Sequence, residues 1–153
     1  MNKIFIQKSI NDFTGVAYRL QRLDSQLMIY NDAKSTNHNA VLTALRSFDE
    51  PVVLIMGGKL RGQNDQLGEA LVEVKSCTQT VLLLGDSEEL LAEELGDHPH
   101  VKCKNLDGVI NWVKENSPSA PLVFSPGYPS FDQFKDYQDR GSSFTKLIKQ
   151  AGI

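Results

Sequence analysis

The sequence has few cysteines, a single tryptophan and no long hydrophobic run. Cys77 and Cys103 are the only cysteines in 153 residues, and each lies in or beside an apolar segment, so we expect two buried, reduced thiols rather than a disulfide. No apolar stretch approaches the roughly 18 residues of a membrane span, and residues 1–13 lack the apolar centre of a signal peptide. These absences argue against a membrane partner and favour the cytoplasm.

An excess of positive charge is absent as well. The chain has 16 Lys and Arg residues against 19 Asp and Glu residues, a net charge of -3. Without a basic face to neutralise phosphates, nucleic acid is excluded as a principal partner. The composition, 41% hydrophobic and 23% charged, is typical of an ordinary globular domain with one core.

Short apolar runs alternate along the chain with amphipathic stretches. The runs predict strands over 27–31, 51–56, 80–84, 101–104 and 122–124. The stretches predict helices from near Thr36 and over 65–74, 87–95, 106–116 and 131–148, the last with a break at Gly141. Strands that are apolar on both faces favour a mostly parallel sheet covered on both sides. We therefore predict an α/β, Rossmann-like three-layer sandwich, in which a strand over 15–23 adds an N-terminal hairpin and an antiparallel edge.

Four strand-to-helix turns should meet at one edge of this sheet. Right-handed crossovers place such turns at the carboxyl ends of the parallel strands, where α/β proteins bind ligands. The turns are 32–36, 57–62, 85–87 and 125–130, and they are polar or rich in glycine. The sequence thus predicts the position of a binding site without identifying its ligand.

Three of the turns admit a structural interpretation beside a functional one. Asp32-Ala33-Lys34-Ser35-Thr36 suits the sugar and phosphates of a nucleotide, or a charged turn with Thr36 as the helix N-cap. The turn 57–62 suits an anion or is a solvated loop, because it lacks the GxxxxGK[ST] spacing. Ser130 and Gln133 form a capping-box pattern, and the free N–H groups of such a helix start equally suit a carboxylate.

The remaining histidine, serine and glycine patterns of the sequence indicate no catalytic or metal site. His98-Pro99-His100 has no cysteine or carboxylate at ligand spacing and is expected to be a solvated loop. The absence of G-x-S-x-G and G-x-G-x-x-G patterns disfavours a hydrolase triad and a dinucleotide oxidoreductase. We assign no catalytic residue and no metal ligand.

Two motifs resemble the D-glutamate-adding branch of the Mur ligase family of peptidoglycan synthesis. Residues 31–37, Asn-Asp-Ala-Lys-Ser-Thr-Asn, resemble its Asn-Asp-Ser-Lys-Ala-Thr-Asn signature. Residues 125–135, Ser-Pro-Gly-Tyr-Pro-Ser-Phe-Asp-Gln-Phe-Lys, resemble its Ser-Pro-Ala-Cys-Ala-Ser-Phe-Asp-Gln-Phe-Lys segment. Arg140-Gly141 and Tyr18-Arg19-Leu20-Gln21 match further family segments. The resemblance implies that residues 14–153 are the C-terminal, amino-acid-binding domain, and that residues 1–13 end a preceding helix or form an interdomain linker.

The resemblance implies a part of an ATP-dependent, ADP-forming ligase that adds D-glutamate to UDP-N-acetylmuramoyl-L-alanine. Such an enzyme serves cell wall synthesis, cell shape and cell division. Its C-terminal domain closes over ATP, and its N-terminal and central domains would be the partners of this chain. The phosphate loop and the ligands of Mg²⁺ belong to those other domains, so the isolated chain is expected to be inactive.

Residue roles also follow from the resemblance. Arg19, Asp32 and Lys34 would contact the nucleotide. The D-glutamate site would be lined by five residues, namely Thr36, Arg61, Ser130, Phe131 and Tyr137. Arg61 stands where the family has lysine, and Gly127-Tyr128-Pro129 replaces Ala-Cys-Ala, so the choice between D-glutamate and another acidic amino acid stays open. One alternative is a stand-alone nucleotide-sensing or protein-interaction module that has the same fold but no ligase activity.

Overall fold

A computed structural model describes residues 16–153. The predicted helix end or linker at 1–13, and the start of the predicted strand at Gly15, lie outside this range. Within it the elements are β1 (Gln21–Arg22), β2 (Ile29–Asn31), α1 (His38–Leu45), β3 (Val52–Gly57), α2 (Ala70–Cys77), β4 (Thr78–Leu84), α3 (Glu88–Leu95), β5 (His100–Lys104), α4 (Leu106–Asn116), β6 (Leu122–Phe124) and α5 (Tyr137–Ala151).

The strands form one sheet in the order β1-β2-β6-β3-β4-β5. Strand β1 pairs antiparallel with β2, and every other pairing is parallel. Leu122 of β6 is opposite Ile29 on one side and Val53 on the other, so β6 lies between β2 and β3. The predicted α/β fold, mostly parallel with an antiparallel edge, is confirmed.

The sheet divides the apolar side chains into two clusters. Val53 and Ile55 of β3 face α4 and α5, whereas Val52 and Leu54 face α1, α2 and α3. Neighbouring residues of a strand point to opposite faces, and both faces are covered here. The continuous apolar run of β3 is therefore buried along its whole length, which is why it shows no alternation with polar residues.

Some predicted boundaries are wrong at the N-terminal side of the sheet. Within the described part of the strand predicted over 15–23, only Gln21–Arg22 is a strand, because Tyr18 and Leu20 have φ angles of 63° and 44° that cannot continue a ladder. The helix predicted from residue 65 begins at Ala70. Before it, the backbone N–H of Leu67 donates to the Glu94 carboxylate at 2.9 Å, which holds that segment in a turn.

The C-terminal helix begins later than predicted and has no break. Its N-cap is Asp136, which accepts a hydrogen bond from the N–H of Asp139 at 2.8 Å. The helix runs through Gly141, where a Cβ atom would come within 2.5 Å of the Tyr18 ring. Gly141 thus permits close packing instead of ending the helix.

The predicted caps at Ser130 and Thr36 are wrong. Ser130 begins a turn and caps no helix, and the side chain of its proposed partner, Gln133, donates to the Lys104 carbonyl at 2.8 Å. Helix α1 is capped by Asn37 in place of Thr36. Ser87 is the N-cap residue of α3, but its hydroxyl makes no cap bond and accepts from the N–H of Gly58 at 3.0 Å.

No helix in the range 16–153 combines the length and the apolar character that a bilayer crossing requires. The two cysteines are free and half-buried. Burial raises the pKa of the Cys103 thiol to about 11, so this thiol stays protonated and weakly nucleophilic at neutral pH.

Candidate functional site

The four predicted turns lie side by side at the carboxyl edge of the sheet. The N–H of Gly127 donates to the Ser35 carbonyl at 2.9 Å, and the N–H of Gly57 donates to Pro126 at 2.9 Å. The N–H of Ser87 donates to the Gly58 carbonyl at 3.0 Å. Backbone hydrogen bonds therefore link all four turns into one surface, as the parallel topology predicts.

Asp32 is buried at the centre of this edge, with 6% of its surface exposed. One carboxylate oxygen accepts from the Ser125 hydroxyl at 2.7 Å, and the other accepts from the N–H of Leu20 at 2.9 Å. Burial raises the pKa of Asp32, while these hydrogen bonds and the charge of Arg19 oppose the rise. Both oxygens of Asp32 thus fix neighbouring turns, and little of the carboxylate remains accessible to a ligand.

The three residues predicted to contact a nucleotide line a single cleft. Arg19, Asp32 and Lys34 surround a volume of about 340 Å³ beside helix α1. Its other walls are formed by Leu20, Ser35, Ala40, Thr43, Ala44 and Ser47. We call this the Arg19 cleft. Two cationic side chains beside small helix residues suit an anionic ligand with a flat portion.

A second cleft lies at the start of α1, and Arg61 of the turn 57–62 forms part of its wall. The volume is about 580 Å³ and the lining residues are Asn37, His38, Asn39, Leu42, Arg61, Leu67, Glu69 and Ala70. We call it the Arg61 cleft. Of the residues predicted to contact the amino acid, Arg61 lines it and Thr36 directly precedes it in the chain.

The other three predicted amino-acid contacts lie apart from the Arg61 cleft. Ser130 is buried, while Phe131 is 69% exposed and is one of the most exposed large apolar side chains. Tyr137 is half-buried and begins α5. The structure therefore brings Arg19, Asp32 and Lys34 together but does not gather the five amino-acid residues in one cleft. Their roles stay predictions.

The turn before Ser130 packs tightly on the turn that carries Arg61. The N–H of Lys59 donates to the Pro129 carbonyl at 2.8 Å. A Cβ atom on Gly58 would come within 2.4 Å of that same carbonyl oxygen, so only glycine permits this approach. The N–H of Asp86 donates to the Asp132 carboxylate at 2.9 Å, which fixes the far side of the turn.

Arg140 supports this edge from beneath, a role that sequence reasoning missed. It is fully buried, and its two terminal nitrogens donate to the carbonyls of Tyr128 at 2.8 Å and Ala33 at 3.0 Å. Its Nε has no hydrogen-bond partner. Burial lowers the pKa of Arg140 to about 10, and Asp132 partly opposes this, so the group is a buried cation at neutral pH. The only signal in the sequence was the resemblance of Arg140-Gly141 to a family segment.

A second missed cluster joins α1 to the segment after Arg61. The hydroxyl of the fully buried Tyr128 donates to the Asp65 carbonyl at 3.0 Å. The ring of His38 packs edge-on against Tyr128 with centroids 5.0 Å apart. Burial lowers the pKa of His38, and Arg61 lowers it further, against the raising effect of Asp65 and Glu94. Tyr128 and His38 therefore join the turn after β6 to helix α1 and to the segment that follows Arg61.

No group of three His, Cys, Asp or Glu side chains among residues 16–153 is arranged to hold a metal ion. The chemical resources of this edge are cationic side chains, backbone N–H groups and hydroxyls, which bind and orient anions.

Comparison with known proteins gives consistent relatives. The chain is 34% identical over 149 residues to the UDP-N-acetylmuramoylalanine–D-glutamate ligase of Bdellovibrio bacteriovorus. The alignment covers 95% of this chain and 32% of that enzyme. It is 33% identical over 149 residues to the same ligase of Salinibacter ruber, with 94% and 32% covered. The Lactobacillus helveticus ligase is 38% identical over 149 residues, with 92% and 32% covered. No family model matches the chain.

The fold has a solved counterpart. The crystal structure of the MurF ligase from Thermotoga maritima in complex with ADP superimposes with a TM-score of 0.56 at 12% identity, covering 96% of this chain and 37% of that one. At this identity the likeness concerns the fold alone. The chain thus spans about a third of the length of the curated relatives it matches, and the resemblance to D-glutamate-adding Mur ligases is confirmed. The alternative of a stand-alone nucleotide-sensing or protein-interaction module with the same fold is not favoured.

Proposed function

We propose that residues 14–153 are the C-terminal domain of a D-glutamate-adding Mur ligase. The chain is similar to about one third of the length of such enzymes. The ligase would add D-glutamate to UDP-N-acetylmuramoyl-L-alanine at the expense of ATP. Similarity at 33% to 38% identity along more than nine-tenths of the chain carries the proposal. The parallel sheet with a polar carboxyl edge supports it.

The nucleotide half of the proposed site is the Arg19 cleft. Arg19 and Lys34 would pair with phosphate oxygens, since cationic donors make short, strong hydrogen bonds to phosphates. Asp32 would act mainly by holding the turn in place, because its oxygens already accept from Ser125 and Leu20. Mg²⁺, expected with ATP, would neutralise phosphate charge when bound. Its ligands would come from the other domains.

The amino-acid half would consist of Thr36, Arg61, Ser130, Phe131 and Tyr137. Arg61 would bind a carboxylate of the incoming D-glutamate, and the amine would then attack an acyl phosphate formed on the muramoyl-alanine carboxyl group. The attack forms the amide bond and releases phosphate. No side chain of this chain need act as a nucleophile, because positioning and charge neutralisation suffice.

The five amino-acid residues do not line one cleft of this chain, and closure onto the N-terminal and central domains would complete their site. The 69% exposure of Phe131 supports such a contact, since a large apolar side chain gains by being covered. A cytoplasmic location accords with nucleotide substrates. The isolated chain should bind ligands weakly and release no ADP from ATP.

The test is an NMR titration of the ¹⁵N-labelled chain with ADP, D-glutamate and L-glutamate. ADP should move the amide signals of Arg19 and Lys34. D-glutamate should move Arg61 and Ser130 more than L-glutamate does. Shifts confined to 96–99 and 117–121, at the opposite end of the sheet, would contradict the assignment.

A further inference from the structure

A carboxylate of the protein itself already lies against the cationic group of the Arg61 cleft. One oxygen of Asp65 accepts a hydrogen bond from the backbone N–H of Arg61 at 3.0 Å and lies 3.8 Å from its guanidinium. The other oxygen lies 4.0 Å from Nε2 of His38. Asp65 therefore lies beside the two side chains that the carboxylate of an acidic ligand would need.

Asp65 is held in this position, unlike an ordinary surface side chain. Its backbone carbonyl accepts from the hydroxyl of Tyr128 at 3.0 Å, and Tyr128 is fully buried. The Asp65 side chain is 14% exposed, whereas that of Arg61 is 43% exposed. The Asp65 carboxylate is thus fixed, while the Arg61 guanidinium reaches solvent. Arg61 is therefore free to change its partner.

The imidazole of His38 adds a ring nitrogen that has no hydrogen-bond partner. Its Nε2 is buried and makes no hydrogen bond, because 4.0 Å from Asp65 is too long for one. His38 and Arg61 line the same cleft. With Nε2 protonated, a carboxylate arriving between His38 and Arg61 would accept hydrogen bonds from both side chains, which Asp65 at 4.0 Å and 3.8 Å does not.

We propose that Asp65 is an internal competitor of the acidic substrate for Arg61, and thereby a specificity-determining residue. The inference rests on the proposed function. A ligand with a side-chain carboxylate can displace Asp65 from the guanidinium and pair with it, whereas a neutral amino acid cannot. Asp65 thus lowers affinity for every ligand and lowers it least for those that replace its charge.

The opposite role for Asp65 would be to position Arg61 for the ligand. The two roles predict changes of opposite sign when the charge is removed. An exposed ion pair contributes about 0.2–1 kcal/mol, so its loss changes affinity about 1.5- to 5-fold. If Asp65 competes, D65N should bind D-glutamate more tightly by about this factor. If it only positions Arg61, D65N should bind more weakly.

The experiment titrates the ¹⁵N-labelled chain with D-glutamate and follows Nε–H and the backbone N–H of Arg61. E69Q is the matched control, because Glu69 lines the same cleft and loses the same charge without contacting Arg61. We expect tighter binding for D65N and a smaller change for E69Q, since solvent screens the more distant charge. Equal or weaker binding by D65N, or an equal gain in E69Q, would overturn the inference.

Y128F provides a second measurement should D65N unfold. It removes the hydroxyl that fixes Asp65 and retains the acid, so D-glutamate should bind more tightly than to the wild-type chain. Weaker or unchanged binding would contradict competition. If D-glutamate shifts the Arg61 signals with equal affinity in all variants, this inference alone is refuted. If D-glutamate shifts the Arg61 signals in no variant, the proposed function is refuted as well.

Discussion

Nη1 of Arg140 donates to the carbonyl oxygen of Tyr128 at 2.8 Å, inside the protein and beneath the ligand edge. Nη2 of the same side chain donates to the Ala33 carbonyl at 3.0 Å. One cation therefore fastens the turn that follows β2 to the turn that follows β6. Within residues 16–153 it makes no ion pair with a carboxylate, so two backbone carbonyls are its main compensation.

Replacing Arg140 by methionine should lower the free energy of unfolding by about 1.5–3 kcal/mol, since hydrogen bonds from a charged group are lost and buried carbonyls stay unpaired. Urea unfolding of both proteins measures the difference. R46M is the control, because Arg46 pairs with Glu73 on the surface and should matter little. A stable R140M protein would show that the cost of burying the cation offsets its hydrogen bonds.

Removing the Arg61 side chain from the Arg61 cleft should weaken the binding of D-glutamate more than that of ATP. In the proposed parent ligase, R61A should raise the KM for D-glutamate about 10- to 150-fold, the factor that corresponds to a hydrogen bond with a charged group. The KM for ATP should change much less. R61K restores the residue of the resembled family and should be nearly neutral. Unchanged D-glutamate kinetics in R61A would place the amino acid elsewhere.

The true start of α5 can be tested against the predicted one. D136A should lower the free energy of unfolding by about 0.5–2 kcal/mol, the usual effect of losing an N-cap. S130A should lack this cap effect, because Ser130 begins a turn and caps no helix. Thermal and urea unfolding of the two variants give the comparison. An equal loss in both would contradict Asp136 as the cap.

Stability should fall as the pH drops below about 6.5, the ordinary pKa of histidine. The fold lowers the pKa of His38 through burial and Arg61, against Asp65 and Glu94, so the unfolded chain takes up a proton first. Stability is then complete above the unfolded pKa and is lost towards the lower folded pKa. Unfolding in urea at pH 7.5 and 5.5 should show this loss.

H38Q should reduce that pH dependence without abolishing it. The pKa of His98 is also lowered, by burial and by Lys75 and His100, so it contributes in the same direction. NMR titration of the His38 ring should give a pKa below 6.5. A pKa at or above 6.5 would show that Asp65 outweighs burial.

The hydrophobic periodicity of the sequence predicts a helix or strand correctly where clear local signals mark both of its ends. Helix α4 has the predicted range 106–116 and strand β6 has the predicted range 122–124. Asn105 caps the helix through its own side chain. The polar turns at the sheet edge were also predictable, because their position follows from the topology.

Other features depend on partners far away in the chain. Phe131 and Phe134 lie at helical spacing, yet the segment around them forms turns, since Asp132 and Gln133 bond to Asp86 and Lys104. Likewise, no local pattern shows that Arg140 reaches Ala33, 107 residues earlier. Such contacts exist only after the sheet has brought the turns together.

Strand β6 is the last strand of the chain and yet it fills the gap between β2 and β3. During synthesis on the ribosome, those two strands have no common neighbour until residues 122–124 have emerged. The N–H of Leu122 then bonds to Met28, and the N–H of Val53 bonds to Pro121. Pairing over such sequence distances slows folding, and the nascent domain exposes the facing edges of β2 and β3 until β6 arrives.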